Sequence, residues 1–326
     1  MTFSLMPGYD HINVVAGLDP VAAVRDAELG ERMRAHPKLL PAGSPDFGYA
    51  VQTGTQWRIG TDGASDPASA RYALAAHLRR SAAEQESDPD AVRMLLATAD
   101  RLDPEEGEQL PKDEWEIGDR RYRVIRIEKF TLIGGGVMEP PRISDTGPSG
   151  QDQAASLHGH LIDPRAPAGT WEAQLRLNLV GYLPIPGTVP ETVQLEARHA
   201  IRTHAGVVLL PPTFTVVEID GTSWAPLTGG DSPGEARAHL AGYFSQILPR
   251  LREFQGDPAS PAELAEWASA AERIEATTEP EFTAMGRRFR IVRISRFLRL
   301  GRDGPEGPRP SDEERYGPAA TTGPQF

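Results

Sequence analysis

The sequence predicts an α+β protein made by internal duplication, with two similar domains, each holding antiparallel hairpins and about three helices. Three observations carry this. Trp115 to Asp145 (WEIGDRRYRVIRIEKFTLIGGGVMEPPRISD) aligns without a gap on Phe282 to Asp312 (FTAMGRRFRIVRISRFLRLGRDGPEGPRPSD), with twelve identities in thirty-one positions. Average residue usage gives roughly two or three. Matches elsewhere keep the same offset of 167, Phe47 with Phe214 and Trp57 with Trp224. Finally, strands and helices come in runs rather than in alternation, which favours antiparallel sheets.

In chain order, a short strand is expected over His11 to Ala16. Asp19-Pro20 opens a helix, because Asp accepts from the free N–H groups of a first turn and proline is tolerated there. Val21, Val24 and Ala27 mark its apolar stripe. Phe47 to Gln52 and Gln56 to Gly60 form a hairpin turning at Thr53-Gly54, and Phe214 to Ile219 turns through Asp220-Gly221 towards Trp224. Both are tight-turn chemistry, where glycine adopts the positive φ that other residues resist. Helices follow from about Pro67 and from about Pro233. The next pair carries Val92, Leu95, Leu96, Ala99 and Leu102 in one copy, and Leu264, Trp267, Ala268, Ala271 and Ile274 in the other, at an offset of 172. Each set lies on one helical face. Asp88-Pro89 and Ser260-Pro261 are matching start signals. A helix over 189–204 answers the one that starts at Pro20.

Each copy closes with a hairpin, turning at Gly118-Asp119 or at Gly286, and a long strand, Arg121 to Ile133 or Arg288 to Leu300. The expected organisation is a first α+β repeat over 1–133, a Gly/Pro-rich linker over 134–170, a second repeat over 171–300 and a flexible C-terminal tail over 301–326. Fused copies of this kind are expected to pack as a pseudo-twofold dimer.

Apolar residues make up 39% of the 326 and charged residues 25%, a composition that folds rather than stays disordered. With no cysteine, disulfides, thiolate metal sites and a Cys nucleophile are excluded. MTFSLMPGYDH shows no basic segment followed by an apolar run, so no signal peptide is expected, and no stretch is apolar enough for a spanning helix. The expected location is the cytoplasm. A net charge of −12 argues against affinity for nucleic acid or an anionic membrane. Arginine outnumbers lysine thirty-one to three, the coding bias of a high-GC bacterium.

Asp19-Pro20-Val21, the Phe47-Gly48 strand with Trp57 downstream, and Phe289-Arg290-Ile291-Val292-Arg293 with the ending Gly304 to Asp312 (GPEGPRPSD) carry a resemblance. Together they resemble a domain-of-unknown-function family of Streptomyces and related actinomycetes, present here as two tandem copies over most of the chain. The first copy departs from the proline-rich ending, with Val137-Met138 in place of Gly304-Pro305. The resemblance implies a lineage and assigns no activity, cofactor or catalytic residue.

The candidate site residues are arginines. Residues 120–130 carry a net +4 and residues 287–299 a net +6, which leaves −22 on the remainder of the −12 chain. Arg121, Arg123 and Arg126, with Arg288, Arg290 and Arg293, are the candidate ligand-binding set, suited to phosphate, carboxylate or an acidic protein. The weightier alternative is pairing with carboxylates of the same protein. Arg126 and Arg293 sit among Ile and Val, so each needs a buried acidic partner. The repeated candidates are Asp145 and Asp312, or Glu139 and Glu306. The Pro-Arg-x-Ser-Asp endings read as capped turns.

Gly134-Gly135-Gly136 lacks the following helix and the Lys-Ser/Thr of a phosphate loop. His158 and His160 lack a third ligand and read as a solvated loop, so no metal is expected. His36 and His204 stand near the ends of matching helices, where a protonated ring favours the dipole. Trp57 and Trp224 read as core anchors. No nucleophile motif or paired-carboxylate motif is present, and no cofactor is expected. The leading reading is therefore a non-enzymatic binding or scaffold protein, contacting a protein partner or small acidic ligand through the arginine strands. The alternative is an enzyme acting on a phosphorylated or carboxylated substrate between the repeats. A nucleic-acid binder using Tyr122, Phe130, Phe289 and Phe297 ranks last, against the acidic remainder.

Overall fold

The two arginine-rich strands lie side by side at the centre of one antiparallel sheet. The structure, a computed structural model, describes residues 11–84, 89–103, 112–146, 157–221 and 223–312. β1 (Asn13–Val14) and α1 (Pro20–Ala35) come first, then β2 (Lys38–Pro41), β3 (Asp46–Thr53) and β4 (Gln56–Ala64). α2 (Pro67–Glu84), α3 (Pro89–Leu102), β5 (Glu114–Ile117), β6 (Arg120–Gly134) and β7 (Val137–Met138) complete the first half. β8 (Leu161–Ile162) and β9 (Pro167–Ala168) lead into α4 (Thr170–Val180), α5 (Glu191–Thr203), β10 (Gly206–Asp220), β11 (Ser223–Gly230) and α6 (Pro233–Gly242). A π-helical turn (Tyr243–Ile247), α7 (Leu248–Phe254), α8 (Pro261–Ala276), β12 (Glu281–Ala284), β13 (Arg287–Gly301) and β14 (Gly304–Pro305) finish the chain. The class is α+β with antiparallel sheets.

The sheet order is β11-β10-β13-β6-β3-β4-β8, with β12 and β14 on β13, and β2, β5 and β7 on β6. β6 and β13 join through Phe130–Ser295, Lys129–Arg296, Glu128–Phe297 and Ile127–Leu298. That register is symmetric about Lys129 and Arg296, which stand 167 apart in sequence. The flanking registers also match at the same offset: Phe47 opposes Arg126 and Phe214 opposes Arg293, while Gln52 opposes Trp57 and Ile219 opposes Trp224.

Strand alternation sorts the side chains. On one face of β6, Tyr122 packs under α2 and α3 with Tyr49, Leu74, Leu78, Leu95 and Leu102. On the same face of β13, Phe289 and Ile291 pack under α6 and α8 with Leu240, Phe244, Trp267 and Ile274. Between these cores Phe130 and Phe297 meet edge to face, with ring centroids 5.9 Å apart, beneath α1 and α4. The opposite face holds Trp57, Ile125, Ile127, Val208, Leu210 and Leu298. Both of these last clusters draw on both halves.

Local chemistry explains the element ends. Asp19 caps α1, its carboxylate accepting from the N–H groups of Val21 and Ala22 at 3.0 Å. Ser260 and Glu263 form a capping box at α8. The β12–β13 hairpin turns through Met285 and Gly286, at φ 53° and 71°, so that turn holds a non-glycine residue in the left-handed region. The start signal at Asp88 lies outside the described residues; α3 begins at Pro89.

Several expectations need correction. Val21 and Val24 are 61% and 65% exposed. α1 instead turns Leu29 and Gly30 inwards, and a side chain at Gly30 would meet the Trp171 ring of α4 at about 2.4–2.6 Å. Asp26 beside that contact accepts from the Glu172 N–H at 2.8 Å, at the start of α4. The linker is built into the fold where described. Gly159 N–H donates to Ile59 and Ile59 N–H to His160, and β8 extends the sheet on β4. His160 is half-buried, and burial lowers its pKa, so it is no solvated loop residue. The expected tail is folded through Asp312, with Gly304, Pro305, Glu306 and Arg309 buried. Trp57 is a buried anchor, whereas Trp224, on edge strand β11, is half-buried against Met138, Val217, Val292 and Ile294.

Candidate functional site

The chain leaving each long strand crosses onto the other half. After β6, residues 139–145 lie against β13, where the Arg293 N–H donates to the Glu139 carbonyl at 2.8 Å. After β13, residues 306–312 lie against β6, where the Arg126 N–H donates to the Glu306 carbonyl at 3.0 Å. The side chains repeat the exchange: Arg293 Nε donates to Asp145 at 3.0 Å, and Arg126 Nε to Asp312 at 3.0 Å. Of the two acidic pairs proposed from sequence, Asp145 and Asp312 are thus the partners, each across the junction. Glu139 and Glu306 hold Arg142 and Arg309 instead, at 2.6 and 2.7 Å. The turns themselves are fastened by Arg142 N–H to Asp145 at 2.8 Å and Arg309 N–H to Asp312 at 2.7 Å. They also dock on helices, with Ser144 N–H on Glu28 of α1 and Ser311 N–H on Glu196 of α5, both at 3.2 Å.

The two clusters differ at one strand position. Arg126 also pairs with Glu128, which Arg309 reaches at 3.0 Å. In the other cluster the corresponding residue is Ser295, whose hydroxyl accepts from Arg293 at 2.6 Å. Burial by itself lowers an arginine pKa, but Glu128, Asp312 and Glu306 outweigh it and push Arg126 above its usual value. At Arg293 burial prevails, aided by repulsion from Arg142 and opposed by Asp145 and Glu139, so its pKa falls. Burial acts to raise Glu128, yet Arg126, Arg309 and Arg299 hold it below the usual glutamate range.

Above Arg126 and Glu128 lies a cleft of about 620 Å³, to which both halves contribute. Pro45 and Phe47 form one wall, and Tyr182, Ile185, Val189 and Val193 the other. Its charged groups are engaged within the chain. Lys129 pairs with Asp46. Asp66, 1% exposed, accepts from Ser69 N–H at 2.8 Å at the start of α2. The Tyr182 hydroxyl donates to the Lys129 carbonyl at 3.1 Å, and burial, with Glu128 next, raises its pKa. The charged groups that line it, Asp66, Glu128, Asp312, Arg126 and Lys129, sum to −1, and the rest of the lining is aliphatic and aromatic surface with hydroxyls.

The six arginines named from sequence do not converge. Arg121 and Arg123 share Glu114 and Asp303, and their guanidinium carbons lie 5.7 and 5.4 Å from the centre of the Trp57 ring. Arg288 and Arg290 share Glu281 at the sheet end. Of the six, only Arg126 lines the cleft; Arg123 lines a separate depression beside Arg202, His204 and Arg302. His204 and His36 end α5 and α1 as expected, but burial lowers the pKa of His204, opposing the protonated form. Sequence reasoning missed Glu128, because weighing residues that recur at an offset of 167 discards a position that reads Glu once and Ser once. It also missed Tyr182, which stands in an aperiodic Gly/Pro stretch between α4 and α5.

Among the described residues, no helix is long and apolar enough to cross a membrane. Residues 19–315 match a family described as "Family of unknown function (DUF5954)", and the chain belongs to it. Comparison with curated proteins gave no match, and comparison with solved structures gave none either.

Proposed function

We propose that this member of the family is a non-catalytic cytoplasmic binding protein, built from two tandem copies of one unit, that takes an uncharged amphipathic small molecule into the cleft between them. Duplication is supported by the registers and crossed contacts that recur at an offset of 167. The binding reading rests on one observation: a 620 Å³ cleft to which both halves contribute, with an apolar wall of Tyr182, Ile185, Val189 and Val193. Concave, mostly apolar sites with a few polar groups are where small molecules bind. Arg126 and Lys129 already hold carboxylates, so an anionic substrate would have to displace them. That weighs against an enzyme for phosphorylated or carboxylated substrates. The same pairing weighs against an acidic protein or nucleic acid on the arginine strands.

Nile red, an uncharged amphipathic dye, tests this. Its emission is expected to rise with the parent chain, to fall to baseline when Val193→Trp fills the cleft, and to ignore sulfate. Dye binding that survives Val193→Trp, or none at all, overturns the reading. Stabilisation by sulfate that disappears in Lys129→Ala supports the anion reading in its place.

A further inference from the structure

Three carboxylates line the cleft between the halves, Asp66, Glu128 and Asp312, and they are not equally occupied. Asp66 accepts from the Ser69 N–H on one oxygen and from the Ser65 and Ser69 hydroxyls on the other. Asp312 accepts from Arg126 Nε on both oxygens, at 3.1 and 3.0 Å. Glu128 takes both of its guanidinium donors, from Arg126 and Arg309, on Oε1. Among the described residues no group donates to its Oε2. That oxygen is not sealed in the core: it keeps contact with solvent, on a side chain 14% exposed that lines the cleft.

The surroundings decide what such an oxygen accepts. Glu128, Asp312 and Glu306 stand against Arg126, Arg309 and Arg299, three charges of each sign. The local sum is zero, so an ammonium group gains no net attraction there and meets three guanidiniums. A second carboxylate would face an oxygen that only accepts. A neutral hydroxyl or N–H fits both conditions, and its hydrogen bond to an ionised oxygen is of the strong, charge-assisted kind. A ligand without a donor would cover Oε2 and leave it unpaired, which is the arrangement that discriminates most sharply between close analogues.

We propose that Glu128 is the specificity-determining residue of the cleft, its Oε2 accepting a hydrogen bond from a hydroxyl or N–H on an uncharged amphipathic ligand. This rests on the binding reading of the cleft and narrows its ligand class. Calorimetric titration with cinnamyl alcohol and with its methyl ether, which keeps the ring and the oxygen but has no donor, tests it. The parent is expected to bind the alcohol at least about tenfold more tightly than the ether. In Glu128→Gln the amide oxygen turns to the guanidiniums and its NH2 to the cleft, and the ratio is expected to fall within about threefold. Glu128→Ser, which places at this register the residue that β13 carries at Ser295, is expected to do the same. A general loss of stability weakens both ligands alike, so the ratio reads the hydrogen bond itself. A tenfold ratio that survives in either variant overturns the proposal, as does a parent that binds neither compound. Equal affinities in the parent, both lost in Val193→Trp, overturn it and leave the binding reading of the cleft standing.

Discussion

Arg126 and Arg293 occupy the same register on β6 and β13, opposite Phe47 and Phe214, and each reaches an aspartate from the other half. Their electrostatic positions nevertheless differ in sign: Arg126 is held above its usual pKa and Arg293 below it. Two causes separate them: Glu128 offsets the burial of Arg126 where Ser295 brings Arg293 no charge, and Arg142 repels Arg293. A hydroxyl satisfies a guanidinium N–H but brings no charge to offset desolvation, whereas a carboxylate does both. Matching register on the two long strands therefore does not fix the energetics of a site.

The comparison can be broken outright by ending the chain at Leu300. This removes Glu306, Arg309 and Asp312 together and strips Arg126 and Glu128 of their partners across the junction. A loss of at least about 5 kcal/mol is expected in urea unfolding. Single replacements come next. Arg126→Ala strands Asp312, a side chain 6% exposed, and is expected to cost about 3–5 kcal/mol. Arg293→Ala is expected to cost less, about 1–3 kcal/mol, because Arg293 recovers less of its desolvation. Equal losses from the two would show that Glu128 makes no difference.

Glu128→Gln and Ser295→Ala sharpen the contrast. The first removes a charge between three guanidiniums and is expected to cost about 2 kcal/mol, the second about 1 kcal/mol. The two also separate by pH. The folded pKa of Glu128 is depressed, so its contribution is complete above the usual glutamate range and is lost as pH falls through the folded value. Glu128→Gln is expected to flatten the acid limb of the stability profile, and Ser295→Ala to leave its shape unchanged. The smallest effect is that of added anions. With both guanidiniums engaged by carboxylates, sulfate or phosphate is expected to move the melting temperature by no more than about 1 °C. A larger rise that disappears in Arg126→Ala would restore a ligand role for that strand.

Much of this was legible in the chain itself. Gly54, Gly118 and Gly221 stand where tight turns hold φ between 57° and 61°, and their neighbours are the strands that alternation predicts. Recurrence of Arg126 as Arg293, and of Asp145 as Asp312, at an offset of 167 marked four residues that the folded protein pairs. These features are local, or recur at a fixed spacing, and so they survive as pattern. The crossing does not. A loop leaving Gly134 has enough residues to return to its own strand or to reach a neighbour, and the spacing is the same in either case. Tertiary structure decides it: β6 and β13 pair about Lys129 and Arg296, which sets each exit loop against the opposite half. The inward face of α1 was settled in the same way. Val21 and Val24 have the right period, but Gly30 is where a helix can come close enough to seat the Trp171 ring, and close packing, not periodicity, chose the buried side.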